Sequence, residues 1–204
     1  MLVSSAIIQI VDTMRRAGFA SLAYFYCDFR DDKKKDLQGL LSSLLVQLCH
    51  QSDSYCDTVS SLYKKQITGS PYPSDDALRR CLKNMLKLPG QAPVYLILDA
   101  LDECPIESHL PDPRDRVLKL VRELITSQFP NIRICVTSRP EADIRVVLEP
   151  LSFRSISLHD ESGHREDIAR YIRSVVNTDP NIRKWRATNK ELIIDVLTHK
   201  ADGM

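Results

Sequence analysis

Apolar residues recur at helical spacing along much of the chain. Near the N-terminus Ile7, Ile8, Val11 and Met14 fall at i, i+1, i+4 and i+7, which predicts an amphipathic helix over residues 4–16. Gly18 is expected to close this helix. The same spacing predicts further helices over residues 37–49, 55–67, 76–88, 115–128, 141–148, 162–176 and 189–200.

Uninterrupted apolar runs of strand length form a second pattern. Residues 20–27, 94–98 and 132–136 are predicted strands, and residues 155–158 are a shorter candidate. The last two long runs flank a predicted helix, and strand, helix, strand with nearly wholly apolar strands is typical of a parallel sheet covered on both faces. The fold class is therefore α/β, with a core over residues 1–160 and the start of a helical subdomain over residues 161–204.

Composition narrows the possible functions. The 204 residues are 43% hydrophobic and 27% charged, as in a globular domain, and 28 Lys and Arg against 27 Asp and Glu leave a net charge of +1. Without a global basic field, neither nucleic acid nor a membrane surface is an expected partner. No signal peptide or apolar span of ~18 residues is visible, and the six cysteines form no CxxC pair, so we expect reduced thiols in a cytoplasmic protein.

Polar residues follow two of the predicted strands directly. Asp99, Asp102 and Glu103 come after one strand, and Thr137 and Arg139 come after the other. Because the carboxyl ends of parallel strands meet at one edge, the two clusters are expected to share it. Clustered acids can hold Mg²⁺ and orient an attacking water, and a guanidinium can bind a phosphate with a forked pair of hydrogen bonds. The alternative is that the acids only cap or solvate a loop.

These motifs resemble those of one protein class. Residues 94–103, VYLILDALDE, are similar to the extended Walker B motif of NACHT-type signalling NTPases, and residues 132–140, IRICVTSRP, resemble their sensor 1 strand. The likeness is strongest to fungal-type NACHT and nephrocystin-like proteins. It implies a P-loop NTPase-like parallel sheet flanked by helices, with Mg²⁺ and ATP or GTP as cofactors. It also implies that Asp99 holds the metal, Asp102 and Glu103 position water, and Thr137 and Arg139 contact the nucleotide, with Arg139 sensing the terminal phosphate.

One feature of that family is missing from the sequence. A phosphate-binding loop, GxxxxGK[ST], presents successive backbone N–H groups to the phosphates, but this sequence contains no Gly-Lys pair. The chain is expected to begin one or two residues beyond such a loop and to lack the first strand. The resulting prediction is a truncated or degenerate NACHT-like core that binds nucleotide weakly at best, without efficient hydrolysis.

Two other functions are compatible with the residues. One is a non-catalytic interaction module, in a signalling assembly or with a second copy of itself, because a sheet that lacks a strand exposes an edge or an apolar groove. The other is a receiver-like, phosphoryl-accepting domain that would use Asp28, Asp99 and Thr137. Three predicted helices between residues 37 and 88 disfavour the second, because such a domain has a single-helix connection there.

Overall fold

The computed structural model describes residues 2–31, 33–64, 73–106, 112–157, 162–182 and 184–200. The chain forms two compact units, residues 1–152 and residues 153–204. The helices of the first unit are α1 (Leu2–Arg16), α2 (Leu37–Cys49), α3 (Asp53–Lys64), α4 (Asp75–Leu86), α5 (Pro113–Thr126) and α6 (Ala142–Leu148). Its strands are β1 (Ser21–Tyr26), β2 (Val94–Asp99) and β3 (Ile132–Val136), and 3-10 helices follow at Leu101–Glu103 and Glu149–Leu151. The second unit contains α7 (Ser162–Thr178) and α8 (Ala187–Lys200), which pack against each other.

The strands form a parallel sheet in the order β1-β2-β3, which confirms the predicted α/β class. Tyr26 pairs with Asp99 across the first interface, and Leu98 pairs with Val136 across the second. The three strands therefore end level with one another. Because they are parallel, the residues that follow them meet at the same edge of the sheet.

The core lies mainly on one face of the sheet. β2 is its centre, since Val94, Leu96 and Leu98 are almost fully buried there. Six leucines of α2 fill the space next to β1: Leu37, Leu40, Leu41, Leu44, Leu45 and Leu48. On the opposite face, α1 contributes Val11 to a smaller cluster with Leu22 and Ile97. Helices thus cover both faces of the sheet, as the apolar strands predict.

Two glutamine side chains, Gln47 on α2 and Gln51 in the turn that follows α2, occupy the edge of β1 that faces away from β2. Gln51 accepts the N–H of Leu22 at 2.9 Å and donates to the carbonyl of Leu22 at 2.5 Å. Gln47 does the same for Tyr24, at 3.0 Å and 2.7 Å. The two amides therefore satisfy the backbone groups that another strand would otherwise take.

The predicted strand over residues 155–158 is wrong as far as it is described. Ser155, Ile156 and Ser157 have no regular structure and are exposed, while Leu158 lies outside the described residues. Alternation of apolar and polar residues produces a strand only where a neighbouring strand supplies hydrogen bonds and a core covers the apolar side. The C-terminal end of the helix predicted over residues 55–67 also lies outside the described residues, since α3 is described to Lys64.

None of the helices in the described part of the chain combines the length and the apolar composition that crossing a bilayer requires.

Candidate functional site

The carboxyl edge of the sheet brings Asp99 and Thr137 into direct contact. Asp99 is the last residue of β2 and is 3% exposed. The Thr137 hydroxyl donates to Asp99 Oδ1 at 2.5 Å and accepts the N–H of Ala100 at 3.1 Å. The predicted meeting of these two residues at one edge is confirmed, and a short hydrogen-bonded chain fixes the orientation of the carboxylate. Their roles toward a metal or nucleotide remain predictions.

Ala100 lies in the turn between β2 and the 3-10 helix Leu101–Glu103. Its φ of 56° and ψ of 50° are left-handed, a conformation that is costly for residues with a β-carbon. The turn brings the start of the 3-10 helix against the residue that follows β3, where the Leu101 N–H donates to the Thr137 carbonyl at 3.0 Å. The pattern of DALDE indicates a small residue at this position but not its backbone conformation.

Ala100→Gly is expected to raise the free energy of unfolding by about 0.5–1 kcal/mol. Glycine relieves the left-handed strain of about 1–2 kcal/mol, and its greater freedom in the unfolded chain offsets only part of that gain. Denaturant unfolding measures the change. Ala92→Gly is the control, because Ala92 does not have a positive φ and its replacement by glycine should lower the free energy of unfolding. If both substitutions lower the free energy of unfolding, Ala100 is not strained.

Asp102 contacts the segment that follows β3. Its Oδ1 accepts the backbone N–H of Arg139 at 3.0 Å, and its Oδ2 lies 3.5 Å from Arg139 Nε. The Asp102 side chain is 10% exposed, whereas that of Arg139 is 83% exposed. Asp102 therefore has a positioning contact within the protein, and the Arg139 guanidinium faces solvent at the edge where it was predicted.

Glu103 ends the 3-10 helix and is half-buried. Its charge acts on Arg30, in the segment that follows β1. Asp28 is the main partner of Arg30, through bonds of 3.0 Å and 3.2 Å, and this pairing raises the pKa of Arg30 and lowers that of Asp28. The edge of the sheet thus carries arginines after β1 and β3, with acids between them after β2.

Arg114 is the residue of this region that sequence reasoning missed. It is the second residue of α5, is 4% exposed, and donates from Nε to the carbonyl of Cys104 at 2.9 Å. It also donates to the carbonyl of Asp102 and to the carboxylates of Glu141 and Asp143. Burial lowers its pKa, but the two carboxylates outweigh that effect and the net pKa is raised.

A signal for Arg114 was present in the sequence. The residue precedes Val117 and Leu118 by three and four positions, which places it on the buried stripe of α5. A charged residue on such a stripe requires partners in the interior. In the structure those partners tie together the 3-10 helix Leu101–Glu103, α5 and the start of α6.

The edge fits Mg²⁺ only in combination with a phosphate. Among the described residues, no group of three His, Cys, Asp or Glu side chains is placed to hold a metal. Mg²⁺ is commonly bound by one or two carboxylates together with substrate phosphates and water. Asp99 meets that requirement, because none of the hydrogen bonds of the described residues involves its Oδ2. We therefore expect negligible Mg²⁺ binding without nucleotide.

Substitutions at Asp99 separate a charge effect from a hydrogen-bonding effect. Asp99→Asn keeps an oxygen for the Thr137 hydroxyl and is expected to leave the free energy of unfolding unchanged or slightly raised. Asp99→Ala leaves that hydroxyl without its acceptor and should cost about 1–3 kcal/mol. Thermal and denaturant unfolding give both values. An equal loss in the two variants would show that the negative charge itself holds the strand end.

Comparison with known proteins identifies the family. The family model described as Nephrocystin 3, N-terminal, matches residues 2–139, a span that includes all three strands and ends at Arg139. A search of curated proteins and a search of solved structures gave no match. The matched span is more than half of the chain, so the protein belongs to the nephrocystin 3 N-terminal family.

Proposed function

We propose that this protein is a degenerate NACHT-type signalling NTPase core whose sheet edge faces Mg²⁺ and the terminal phosphate of ATP or GTP. The 204 residues bind such a nucleotide weakly and do not hydrolyse it efficiently. One observation carries the proposal: Asp99 and Arg139 are held at the same edge, Asp99 by Thr137 and Arg139 by Asp102. Acid and guanidinium at one edge of a parallel sheet are suited to a metal-bound phosphate.

Each residue has a distinct role in this proposal. Asp99 offers one carboxylate oxygen to the metal, and Thr137 keeps that carboxylate in place. The exposed guanidinium of Arg139 turns from Asp102 toward a phosphate oxygen. Bound Mg²⁺ would supply charge neutralisation at the phosphate. Glu103 remains the candidate for orienting water, since both oxygens of Asp102 face Arg139.

We expect weak binding because the sequence offers few groups that could bind the phosphates other than the terminal one. Successive backbone N–H groups of a glycine-rich loop and a lysine supply much of the phosphate binding in P-loop proteins. This sequence contains no Gly-Lys pair, and one arginine does not replace that charge. Protein partners in a signalling assembly in the cytoplasm are part of the proposal.

Calorimetric titration with Mg²⁺ and ATP tests the proposed affinity. We expect a dissociation constant well above the micromolar range, about 0.1 mM or weaker. Arg139→Ala should weaken the binding of ATP more than the binding of ADP, because the guanidinium is proposed to contact only the terminal phosphate of ATP. A low micromolar dissociation constant would contradict weak binding, and an equal loss for both nucleotides would remove Arg139 from its role.

A non-catalytic interaction module is the second candidate. Strands of a parallel sheet are usually buried on both faces, yet no residue of β3 is fully buried, and Phe19 and Phe29 are 71% and 61% exposed. Such apolar surface is suited to contact with another protein. Size-exclusion chromatography with light scattering measures the mass in solution. A heat-stable monomer of 23.2 kDa would count against this candidate.

A further inference from the structure

We propose that Cys27 and Cys104 are a redox modification site, in which a two-electron oxidant of the peroxide class joins the two residues in a reversible disulfide. The site is separate from the proposed nucleotide function, because neither thiol contacts a phosphate or metal in that proposal. It lies at the same edge of the sheet, where Cys27 directly follows β1 and Cys104 directly follows the 3-10 helix Leu101–Glu103.

The two sulfurs are in direct non-bonded contact. Cys27 Sγ lies 3.3 Å from Cys104 Sγ, although 77 positions separate the residues along the chain. A disulfide needs about 2.05 Å, so the sulfurs must approach by only about 1.2 Å. The side chains are 3% and 1% exposed, and this burial favours a pairing between them over pairing with another molecule.

The surroundings give the two thiols different roles. The contact with the Cys27 thiol is the largest cause of the lowered pKa of Cys104, and the Arg114 guanidinium lowers it further. The same contact, together with burial, raises the pKa of Cys27. Arg114 donates from Nε to the Cys104 carbonyl at 2.9 Å and so brings a positive charge next to Cys104. We therefore assign Cys104 as the thiol that reacts first with the oxidant and Cys27 as the thiol that resolves the oxidised intermediate.

The chemistry balances with hydrogen peroxide as the oxidant. The Cys104 thiolate attacks one peroxide oxygen; an S–O bond forms, the O–O bond breaks, and hydroxide leaves to give a sulfenic acid. The Cys27 sulfur then attacks the Cys104 sulfur. The S–S bond forms, the S–O bond breaks, and the oxygen leaves as water with the proton of Cys27. Two thiols lose two electrons in total, and a dithiol restores them.

The bond would alter the candidate site through the backbone. It would join the end of β1 to the residue that follows Glu103, and Arg114 already holds the carbonyls of Asp102 and Cys104. Oxidation would therefore restrict the 3-10 helix that carries the acids at positions 102 and 103. The consequence is a covalent restraint on that segment under oxidising conditions.

Another cysteine pair must be removed to make the test clear. Cys49 and Cys56 lie next to each other in the fold. Burial is the main cause of the raised pKa of Cys49, and the contact with the Cys56 thiol raises it further. Cys56 is exposed, so it reacts readily with peroxide and reports that the oxidant is active. The experiment therefore uses both the natural chain and the Cys49→Ser/Cys56→Ser variant, each with an unchanged Cys27 and Cys104.

Hydrogen peroxide is added to the folded chain, and peptides are mapped by mass spectrometry without reduction. We expect a linked Cys27–Cys104 peptide in both proteins, with a mass loss of about 2 Da that dithiothreitol reverses. In a Cys27→Ser variant shown by circular dichroism to be folded, dimedone should label Cys104. The proposal is overturned if Cys27 and Cys104 stay reduced while Cys56 is oxidised, or if either forms its main link with a different cysteine.

Discussion

Arg114→Met is expected to lower the free energy of unfolding by about 3–5 kcal/mol, because it removes the centre of a buried polar network. Arg114 is 4% exposed and donates to the carbonyls of Cys104 and Asp102 and to two carboxylates. Methionine occupies most of the space of the arginine stem, so the loss comes mainly from the hydrogen bonds. The carbonyls would remain buried without a donor, and the segment over residues 101–104 would loosen.

Denaturant unfolding measures the effect, and Lys119→Met is the matched control. Lys119 lies on the same helix in an exposed ion pair with Asp115, and its replacement should change stability by less than about 0.5 kcal/mol. The loss of stability in Arg114→Lys should fall between the losses in Arg114→Met and Lys119→Met, because an ammonium group cannot reproduce the forked contacts of the guanidinium. Similar values for Arg114→Met and Lys119→Met would show that the network contributes little.

Replacing both Gln47 and Gln51 by leucine is expected to cost about 2–6 kcal/mol, since four hydrogen bonds to β1 are lost at about 0.5–1.5 kcal/mol each. The bonds join the two side-chain amides to the backbone N–H and carbonyl groups of Leu22 and Tyr24. Without them the edge of β1 is unpaired. An unpaired edge is a template for another chain, so self-association should increase with protein concentration.

Gln38→Leu is the control for added apolar surface, because Gln38 is an exposed residue of the same helix. Unfolding experiments and light scattering are carried out on both variants. Each single substitution, at Gln47 or at Gln51, should cost less than the double substitution, and the two single losses are not expected to add exactly because Gln51 also donates to the Gln47 carbonyl at 2.7 Å. A double variant that is monomeric and as stable as the Gln38→Leu protein would refute the protective role of the two amides.

The sequence predicted the sheet because its signals are local. β2 and β3 are apolar runs that stop at polar residues, and the level ends of parallel strands brought Asp99 and Thr137 together as expected. The exposed segment around Ile156 shows the limit of this reasoning, since alternation alone does not supply a neighbouring strand.

The contacts that the sequence did not predict are all between distant residues. Gln47 is a polar residue of α2 and Gln51 lies in the turn that follows this helix, and glutamines at such positions are normally solvated. The two amides bond to Tyr24 and Leu22, which are two residues apart and lie about 6.6 Å apart along β1. Only the packing of α2 on β1 makes this match visible.

A residue-resolved titration shows whether the carboxyl edge of the sheet faces the nucleotide, as proposed. The ¹⁵N-labelled chain is titrated with Mg²⁺ and ATP to about 5 mM, a range that detects even weak binding, and amide shifts are followed by NMR. We predict saturable shifts at Ala100, Thr137 and Arg139, with Arg139 responding more to ATP than to ADP. Unmoved amides at these three positions, or shifts confined to the opposite edge at Ser21 and Val94, would contradict the account.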